Sequence, residues 1–274
     1  MKKLSSSDAE ATEALFASSI YTNTHFGWFN CWQAAENNGA VWLDEKDSQK
    51  YLISLQIVDP NTLWLHSFFS TSSPEIYPLV EKIRTLLKPG NYSVYAISAR
   101  NWFSSLLQNN GFKLSDEIIQ METVSLSTNV KETDGDLLSF SSKQSDIVWH
   151  ACENLFPPLW RLAREEFHEA CTASNYRRVL IKDRKIAGYL LAEIDKENCD
   201  ITRIAVLPEY QGKGYGNKII SSMNLDCIRL NIRTYSVNTN KKNTAALQFY
   251  KGLNFKQEGN SYPVFHRYIR IRPE

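Results

Sequence analysis

The sequence predicts an α/β (α+β) protein with two domains, each a mixed, mostly antiparallel β-sheet flanked by helices. Three observations support this fold class. The chain has 274 residues, well above the ~150 residues of a typical domain. Helix-like and strand-like segments follow each other in nearly the same order in both halves. A stretch rich in Ser, Thr, Asp and Lys at 124–145 separates the halves and is the candidate boundary.

The composition is that of an ordinary globular chain. Hydrophobic residues make up 43% and charged residues 22%, which excludes a disordered tail, a collagen-like fibre and a small disulfide scaffold. The net charge of +1 argues against binding nucleic acid by bulk electrostatics. The charge is nevertheless divided unevenly. Residues 1–130 carry nine Lys and Arg against thirteen Asp and Glu, and the remainder carries 22 against 17, so an anionic ligand favours the C-terminal half.

Several functional classes lack the sequence features they need. The N-terminus has no apolar core of a signal peptide, and no stretch approaches the ~18 apolar residues that span a bilayer. The five cysteines are scattered without a Cys-x-x-Cys pair, and the five histidines have no metal-ligand spacing. We therefore expect a cytoplasmic protein without a membrane segment and without a metal.

In the first half, apolar periodicity predicts the following elements. Helices are expected at 7–18, 26–35, 74–87 and 100–108, and strands at 40–43, 51–58, 63–69, 92–97 and 112–124.

The second half begins with a short strand at 136–140 and a helix from about Ser145. Asp146 is the expected cap of this helix. Its apolar face is expected to consist of Ile147, Val148, Ala151 and Leu155. The pair Pro157-Pro158 interrupts it, because proline breaks a helix, and a second helix is expected at 159–172.

Strand-like runs at 178–181 and 186–193 are joined by a predicted hairpin turn at 182–185, and a third run at 200–207 leads into a glycine cluster. The remaining expected elements are a helix at 216–227, a strand at 232–237, a helix at 243–251 and a strand at 262–271.

The two halves read as a divergent internal repeat. Near the end of each, the segment 106–113 (LLQNNGFK) runs parallel to 249–256 (FYKGLNFK). Two unrelated α/β domains remain the alternative, because the identity is low.

The glycine cluster Gln211-Gly-Lys-Gly-Tyr-Gly216 lies between a β-branched strand and an amphipathic helix. Glycines let the backbone turn and let an anion approach its amides, and the helix N-terminus adds free N–H groups. These features predict a phosphate cradle, to which Lys213 and Lys218 add positive charge. Two common phosphate loops do not match: Lys213 is followed by Gly214 rather than Ser or Thr, and Asn217 stands where a dinucleotide fingerprint needs glycine.

The surrounding residues resemble a known family. The pattern Val206-x-Pro-x-x-Gln211-x-x-Gly214-x-Gly216 is similar to the acetyl-CoA pyrophosphate loop of the GNAT superfamily of N-acyltransferases. The segment 243–255 resembles that family's second motif, Asn-x-x-Ala-x-x-x-Tyr-x-x-x-Gly-Phe, with Asn254 in place of the glycine. This departure is mild because Asn also tolerates left-handed geometry. The resemblance covers about 134–274, and over 1–130 it rests on element order.

The resemblance implies acetyl-CoA as the cofactor, with no metal. Its pantetheine arm would lie along Ile204, Ala205 and Val206, with Asn243 also in contact. Its pyrophosphate would be held by the amides of the loop, namely Gln211, Gly212, Lys213, Gly214, Tyr215, Gly216 and Asn217. Tyr250 would protonate the leaving thiolate, since a phenol of pKa ~10 keeps its proton at neutral pH. A buried core tyrosine is the alternative interpretation of Tyr250.

An amine acceptor must lose a proton before it attacks. Asp200, eleven residues before Gln211, stands where histone acetyltransferases of the family carry a base carboxylate, and Glu193 on the neighbouring strand is the competitor. Solvated strand ends remain the alternative for both.

The predicted division is a degenerate GNAT-like domain at 1–130 and a catalytic GNAT domain at 131–274. In the first, the segment after Phe69 has no glycine, and Leu107 takes the approximate place of Tyr250, so we expect no CoA binding. Acceptor contacts are expected from Phe156, Leu159 and Trp160, or from one or two of Trp28, Trp32, Trp42, Trp64 and Trp102.

The predicted function is acetyl transfer from acetyl-CoA to a primary amine, by direct attack in a ternary complex. The alternative is a non-catalytic acyl-CoA-binding or regulatory module. The expected partner is a small-molecule amine rather than nucleic acid or a membrane, and the expected assembly is a monomer or homodimer.

Overall fold

A computed structural model describes residues 1–5, 8–24, 39–46, 48–127 and 134–273. The chain divides into two compact units. Unit 1 comprises Met1–Glu117 together with Tyr262–Glu274, and unit 2 comprises Ile118–Ser261. The helix predicted at 26–35, with Trp28 and Trp32, lies outside the described residues.

Unit 1 contains most of the elements predicted for the first half and adds two short strands, β1 and β2, that the sequence did not indicate. Its elements are β1 (Lys2–Leu4), α1 (Ala9–Ser18), β2 (Tyr21–Thr24), β3 (Gly39–Lys46), β4 (Gln49–Asp59), β5 (Thr62–Ser70), α2 (Leu79–Leu86), β6 (Gly90–Ile97), α3 (Asn101–Asn109) and the beginning of β7 (Lys113–Thr123).

The sheet of unit 1 runs β1-β3-β4-β5-β6 and ends with residues 264–271 of the chain's last strand. Its strands pair antiparallel except β5 and β6, which are parallel over Thr62–Trp64 and Ser93–Tyr95. Helices α2 and α3 bury Ile83, Phe103 and other apolar side chains in one core with this sheet. Their apolar residues recur at helical spacing, so each helix has one face to bury.

Unit 2 begins with a short strand and a helix, as unit 1 does, and its later elements repeat the order of those in unit 1. Its elements are β8 (Asp136–Ser139), α4 (Ser145–Cys152), a 3-10 turn (Pro158–Trp160), α5 (Arg164–Ala173), β9 (Tyr176–Lys182), β10 (Lys185–Asp195), β11 (Asn198–Val206), a 3-10 turn (Pro208–Tyr210), α6 (Tyr215–Arg229), β12 (Thr234–Asn240), α7 (Thr244–Gly252) and the beginning of β13 (Lys256–Ile271).

In unit 2 the strand order is β8-β9-β10-β11-β12, followed by residues 118–123 of β7. Only the β11–β12 pair among these is parallel. The predicted fold class is therefore confirmed: each unit has a mixed, mostly antiparallel sheet with helices packed on it. The predicted hairpin turn at 182–185 is also present, because Asp183 and Arg184 have φ of 49° and 62°, as a type I′ turn requires.

The two units differ from the predicted ranges 1–130 and 131–274 in their last strands. Strand β7 follows α3 of unit 1, but its residues 118–123 pair with β12 of unit 2. Strand β13 follows α7 of unit 2, but its residues 264–271 pair with β6 of unit 1. Alternating hydrophobicity identifies a strand without identifying its partner, so the sequence could not show this exchange.

The first helix of unit 2 also departs from its predicted face. Ile147 is 65% exposed, and the buried positions of α4 are Ser145, Val148 and Cys152. Asp146 does not cap the helix; it lies in the first turn and pairs with Arg164. The helix predicted at 159–172 starts only at Arg164, because the prolines favour a separate 3-10 turn.

A β-bulge interrupts the central strand of each unit at the equivalent position. In β5, His66 is the extra residue between the pairs Leu55–Leu65 and Ser54–Ser67. In β11, Thr202 is the extra residue between Ala192–Ile201 and Leu191–Arg203. Residues 67–70 therefore correspond to residues 203–206. A bulge bends its strand and increases the local twist, and in both units the parallel pairing ends just before it.

In unit 1 the space past the bulge is filled by the chain itself. Strand β2 pairs antiparallel with residues 67–70 of β5. The buried Asn23 side chain donates a hydrogen bond to the Ile97 carbonyl oxygen (3.0 Å) and accepts one from the Ala99 N–H (3.0 Å). Strand β2 thus satisfies the edge of β5 and the end of β6 together.

We expect Asn23→Leu to lower the free energy of unfolding by about 1–3 kcal/mol, because the buried Ile97 carbonyl loses its partner. Asn175→Leu is the matched control. Asn175 makes the same two kinds of hydrogen bond, to the backbone of Ile194, but it is exposed, so water can replace it at a cost below about 1 kcal/mol. Urea unfolding measures both changes, and equal losses would contradict this role of β2.

Candidate active site

Strands β11 and β12 separate in the middle of unit 2. Their parallel pairing runs from Asn198–Thr234 to Ile201–Val237 and stops at the Thr202 bulge. Among the described residues, no strand pairs with the edge of 203–206 that faces away from β10. We call the space between 202–206 and 238–240 the strand opening. Backbone groups along such an edge need water or a ligand as partners.

The glycine loop continues directly from the strand opening. Gln211 turns back toward the strand, and its Nε2 donates a hydrogen bond to the Val206 carbonyl oxygen (2.8 Å). Gly212 and Gly214 have φ of 71° and 88°, in the left-handed region that favours glycine. The Lys213 Nζ donates to the Glu209 carbonyl oxygen (2.7 Å) and remains in solvent.

Helix α6 presents its N-terminus at the end of this loop. Its N-cap is Gly214, and among the described residues no side chain makes a capping hydrogen bond there. The first intrahelical bond runs from the Lys218 N–H to the Gly214 carbonyl oxygen (3.0 Å), so the amides of 215–217 precede the helical ladder. Open amides and the positive end of the helix dipole attract an anion.

Tyr215 and Gly216, both predicted to bind the cofactor, also help to hold α6 in place. Tyr215 is buried, and its hydroxyl donates to Asp134 Oδ1 (2.8 Å). A Cβ added at Gly216 would lie 3.0 Å from the Phe249 ring, so this glycine lets α6 approach α7 closely. Their backbone amides stay predicted cofactor contacts, together with that of Asn217.

Asn243 is the N-cap of α7, and its side chain accepts a hydrogen bond from the Ala246 N–H (3.1 Å). Asparagine is a preferred N-cap residue before an apolar helical pattern, so the sequence itself carries the signal for this role. Contact between Asn243 and a pantetheine arm stays a prediction.

Tyr250 lies on α7 in the core of unit 2. Its ring packs against Phe249 and Phe255, with ring centroids 5.4 Å and 5.6 Å away. Ile204 and Val206 pack against the same core cluster. Burial raises the pKa of Tyr250, so the phenol is protonated at neutral pH. Within the described residues its hydroxyl has no hydrogen-bond partner, which leaves the proton available for donation.

The two candidate bases are neighbours on one face of the sheet. Glu193 on β10 lies directly opposite Asp200 on β11, and Asp200 lies beside Ser236 on β12. Ser236 in turn faces Glu122 on β7, so the row crosses four strands. No local sequence pattern points to Ser236 and Glu122, because strand register alone places them in this row.

Asp200 and Glu193 differ in their surroundings. Asp200 is partly buried and accepts a hydrogen bond from Ser236 Oγ (2.6 Å), whereas Glu193 is exposed. Burial raises the pKa of Asp200, and the Ser236 hydrogen bond opposes this rise. A carboxylate with a raised pKa is a stronger base than an ordinary aspartate.

A narrow recess of about 10 Å³, wide enough for roughly one water molecule, opens to solvent on the same face as this row. Its walls include Trp149, Phe156, Phe167, Tyr189 and Arg203. Phe156 was predicted to contact the acceptor. Trp160, also predicted, contributes its carbonyl oxygen, which accepts a hydrogen bond from Arg203 (2.6 Å).

Leu159 belongs to the same 3-10 turn, Pro158–Trp160. In unit 1, Trp64 is buried in the sheet and Trp42 and Trp102 pack against its core.

Other kinds of site find no support in the part of the chain that the structure describes. It contains no group of three His, Cys, Asp or Glu side chains that could hold a metal. No helix in it is long and apolar enough to cross a membrane. The four described cysteines are buried free thiols.

Comparison with known proteins finds a family model that matches part of unit 2. Residues 174–257, from the end of α5 to the start of β13, match the family model of the acetyltransferase (GNAT) domain. No curated protein sequence matches the chain.

Solved structures share the whole fold. A tandem GNAT protein from the clavulanic acid biosynthesis pathway is similar over 97% of both chains, with a TM-score of 0.58 and 10% identity. A GNAT-family acetyltransferase from Colwellia psychrerythraea is similar over 98% of this chain and 99% of its own, with a TM-score of 0.56 and 14% identity. A GCN5-related N-acetyltransferase from Sphaerobacter thermophilus covers 87% of this chain and 82% of its own, with a TM-score of 0.57 and 12% identity.

We expect Asp200→Asn to raise the melting temperature at neutral pH. The pKa of folded Asp200 is raised, so its contribution to stability is present below the unfolded pKa and is lost as pH rises through the folded pKa. Asparagine does not ionise and still accepts the Ser236 hydrogen bond. The gain over the original protein should therefore grow between pH 4 and pH 8.

Asp226→Asn is the control of opposite sign. Burial works against the Asp226 carboxylate, but hydrogen bonds from Tyr176 and Arg178 hold its pKa below the usual range. Its contribution is present above the unfolded pKa, so this variant should lose stability at neutral pH. Thermal unfolding across the pH range measures both, and a loss for Asp200→Asn would contradict the burial argument.

Proposed function

We propose that unit 2 transfers an acetyl group from acetyl-CoA to a primary amine, because residues 174–257 match the model of the acetyltransferase (GNAT) domain and a tandem GNAT protein shares the fold. The transfer is a direct attack in a ternary complex. The observation that carries the proposal is the unpaired edge of 203–206, which ends at the open amides of α6.

The cofactor groove follows from these two features. An extended chain with amide groups, such as pantetheine, can pair with the backbone of Ile204, Ala205 and Val206 as an added strand. The pyrophosphate then reaches the amides of 212–217, where the glycines allow a close approach. The Gln211 hydrogen bond to Val206 fixes the loop to the end of the strand, so the groove and the amides keep one geometry.

The chemistry requires three proton transfers. Asp200, or a water held by it, takes a proton from the acceptor's ammonium group, and the amine nitrogen then attacks the thioester carbonyl carbon. The C–S bond breaks and the departing thiolate takes the Tyr250 proton. The attacking nitrogen loses its second proton to solvent, from which the Tyr250 phenolate is reprotonated. Tyr250 suits this role because burial raises its pKa and its hydroxyl has no partner among the described residues. Glu193 is the competing base, one strand away.

Unit 1 differs at each of these points, which supports the proposal that it binds no CoA. Strand β2 covers residues 67–70, the counterpart of the open edge. The Val80 N–H at the start of α2 is capped by the Asn110 side chain (3.2 Å), and Glu81 adds negative charge there. Leu107 is fully buried at the approximate place of Tyr250.

Release of thiol from acetyl-CoA with a panel of primary amines tests the function directly. Tyr250→Phe should lower kcat by about 100-fold, the low end for loss of a general acid, while the acetyl-CoA Kd changes less than about twofold. Stability should be unaffected, since the hydroxyl has no described partner to lose.

Tyr235→Phe is the matched control for a buried tyrosine of unit 2. Its hydroxyl donates to Asn224 Oδ1 (2.7 Å), so this variant should lose stability and keep its kcat. Unchanged kcat in Tyr250→Phe would rule out Tyr250 as the acid. Binding of acetyl-CoA without acetylation of any amine would instead favour a non-catalytic acyl-CoA-binding module.

We expect Gly214→Glu to weaken acetyl-CoA binding by at least about 100-fold, or ~2.7 kcal/mol, because a carboxylate then stands at the open amides of α6. Gly252→Ala is the control, since Gly252 has no atom within 4 Å of an added Cβ and no left-handed φ. Calorimetry measures the affinities, and circular dichroism checks that the variants are folded. Unchanged affinity in Gly214→Glu would exclude this loop as the pyrophosphate site.

A further inference from the structure

The Arg203 side chain is a fixed cation in the wall of the recess. Its guanidinium carbon lies 4.0 Å from the centre of the Phe156 ring, and its Nη2 donates to the Trp160 carbonyl oxygen (2.6 Å). These two contacts fix the position of the guanidinium beside the recess. A guanidinium held in this way loses little entropy when it binds a further oxyanion.

Arg203 has no carboxylate partner among the described residues. It forms none of the ion pairs within 4.0 Å there, and its Nε is buried without a hydrogen-bond partner. Half-burying a cation without an anion is costly, so this arrangement favours a ligand that brings the anion. The nearby guanidinium also opposes the effect of burial, which raises the pKa of Tyr189 to about 12.

Arg203 and the candidate base point to the same side of the sheet. Arg203 pairs with Leu191, and Asp200 pairs with Glu193 two residues further along β10. Residues two apart on a strand share a face, so Arg203 and Asp200 lie on one face of β11, separated by the Thr202 bulge. An acceptor bound to Arg203 would therefore lie on the same face of the sheet as the candidate base.

The remaining walls of the recess indicate which other groups a ligand bound to Arg203 can carry. Trp149, Phe156, Phe167 and Leu162 provide an apolar surface. Arg161 adds a second positive charge at the rim, and Glu153 adds one negative charge. One fixed guanidinium beside a carboxylate suits a monoanion better than a phosphate dianion, which Glu153 would repel.

We propose that the acceptor is an amino acid or a close analogue, whose carboxylate binds Arg203 and whose apolar side chain lies over the aromatic residues at the mouth of the recess. This inference rests on the acetyl transfer proposed above and names its substrate class. Arg203 is then a residue that determines specificity, while Asp200 and Tyr250 handle the protons. A planar carboxylate accepts two parallel hydrogen bonds from a guanidinium, which a neutral group cannot do.

Two matched pairs of acceptors test the proposal: L-phenylalanine with 2-phenylethylamine, and L-leucine with 3-methylbutylamine. The members of each pair differ by the carboxylate. We expect kcat/KM to be at least about 10-fold higher for the amino acid, mainly through KM. O-phosphoethanolamine tests the dianion and should be a poorer acceptor than either amino acid.

Variants separate recognition from a structural role of Arg203. In Arg203→Met the ratio of kcat/KM for L-phenylalanine to kcat/KM for 2-phenylethylamine should fall to about one, mainly because KM for the amino acid rises. Arg203→Lys should restore part of the preference, because it keeps the charge and loses the planar fork. Arg233→Met, which removes an exposed arginine elsewhere in the unit, should change neither value.

The outcomes are distinguishable. Equal use of amino acid and decarboxylated amine by the original protein would overturn the proposal and leave acetyl transfer intact. A parallel loss for both acceptors in Arg203→Met and Arg203→Lys would make Arg203 a structural contact and overturn its role. A better reaction with O-phosphoethanolamine would replace the carboxylate by a phosphate. No thiol release with any amine would overturn the proposed function itself.

Discussion

The separation of two parallel strands after a β-bulge is the constraint on which the rest of this structure depends. In unit 2, Thr202 bends β11 away from β12, so the backbone of 203–206 has no strand partner among the described residues. The glycine loop, the open N-terminus of α6 and Tyr250 all lie beside that opening, since α6 and α7 pack against the same core as Ile204 and Val206. A straight, fully paired β11 would leave no groove.

Unit 1 meets the same constraint with its own chain. His66 bends β5 in the same way, and the chain supplies β2 and the Asn23 side chain as partners for the exposed backbone. Buried backbone groups must be paired, so an edge opened by a bulge needs another strand, water or a ligand as its partner.

Many motif residues serve the shape of the groove more than direct contact with a cofactor. Asn243 caps α7, Gly216 admits the Phe249 ring, and the Gln211 side chain ties the loop to Val206. The atoms free to bind an anion are backbone amides. The motif therefore preserves a backbone conformation. In the proposed reaction the proton transfers are carried out by a few side chains, namely Tyr250 and Asp200.

The sequence by itself determined the order of the helices and strands, the fold class and the glycine loop, because apolar periodicity and left-handed turns are local properties. Only the tertiary structure decided the partners of β7 and β13, the row from Glu193 to Glu122 and the filling of unit 1 by β2. These depend on strand register and on contacts between residues far apart in the chain. No local pattern encodes these contacts. The sequence pattern therefore did not point to Arg203, and the role proposed for it comes from the face of the sheet on which it lies.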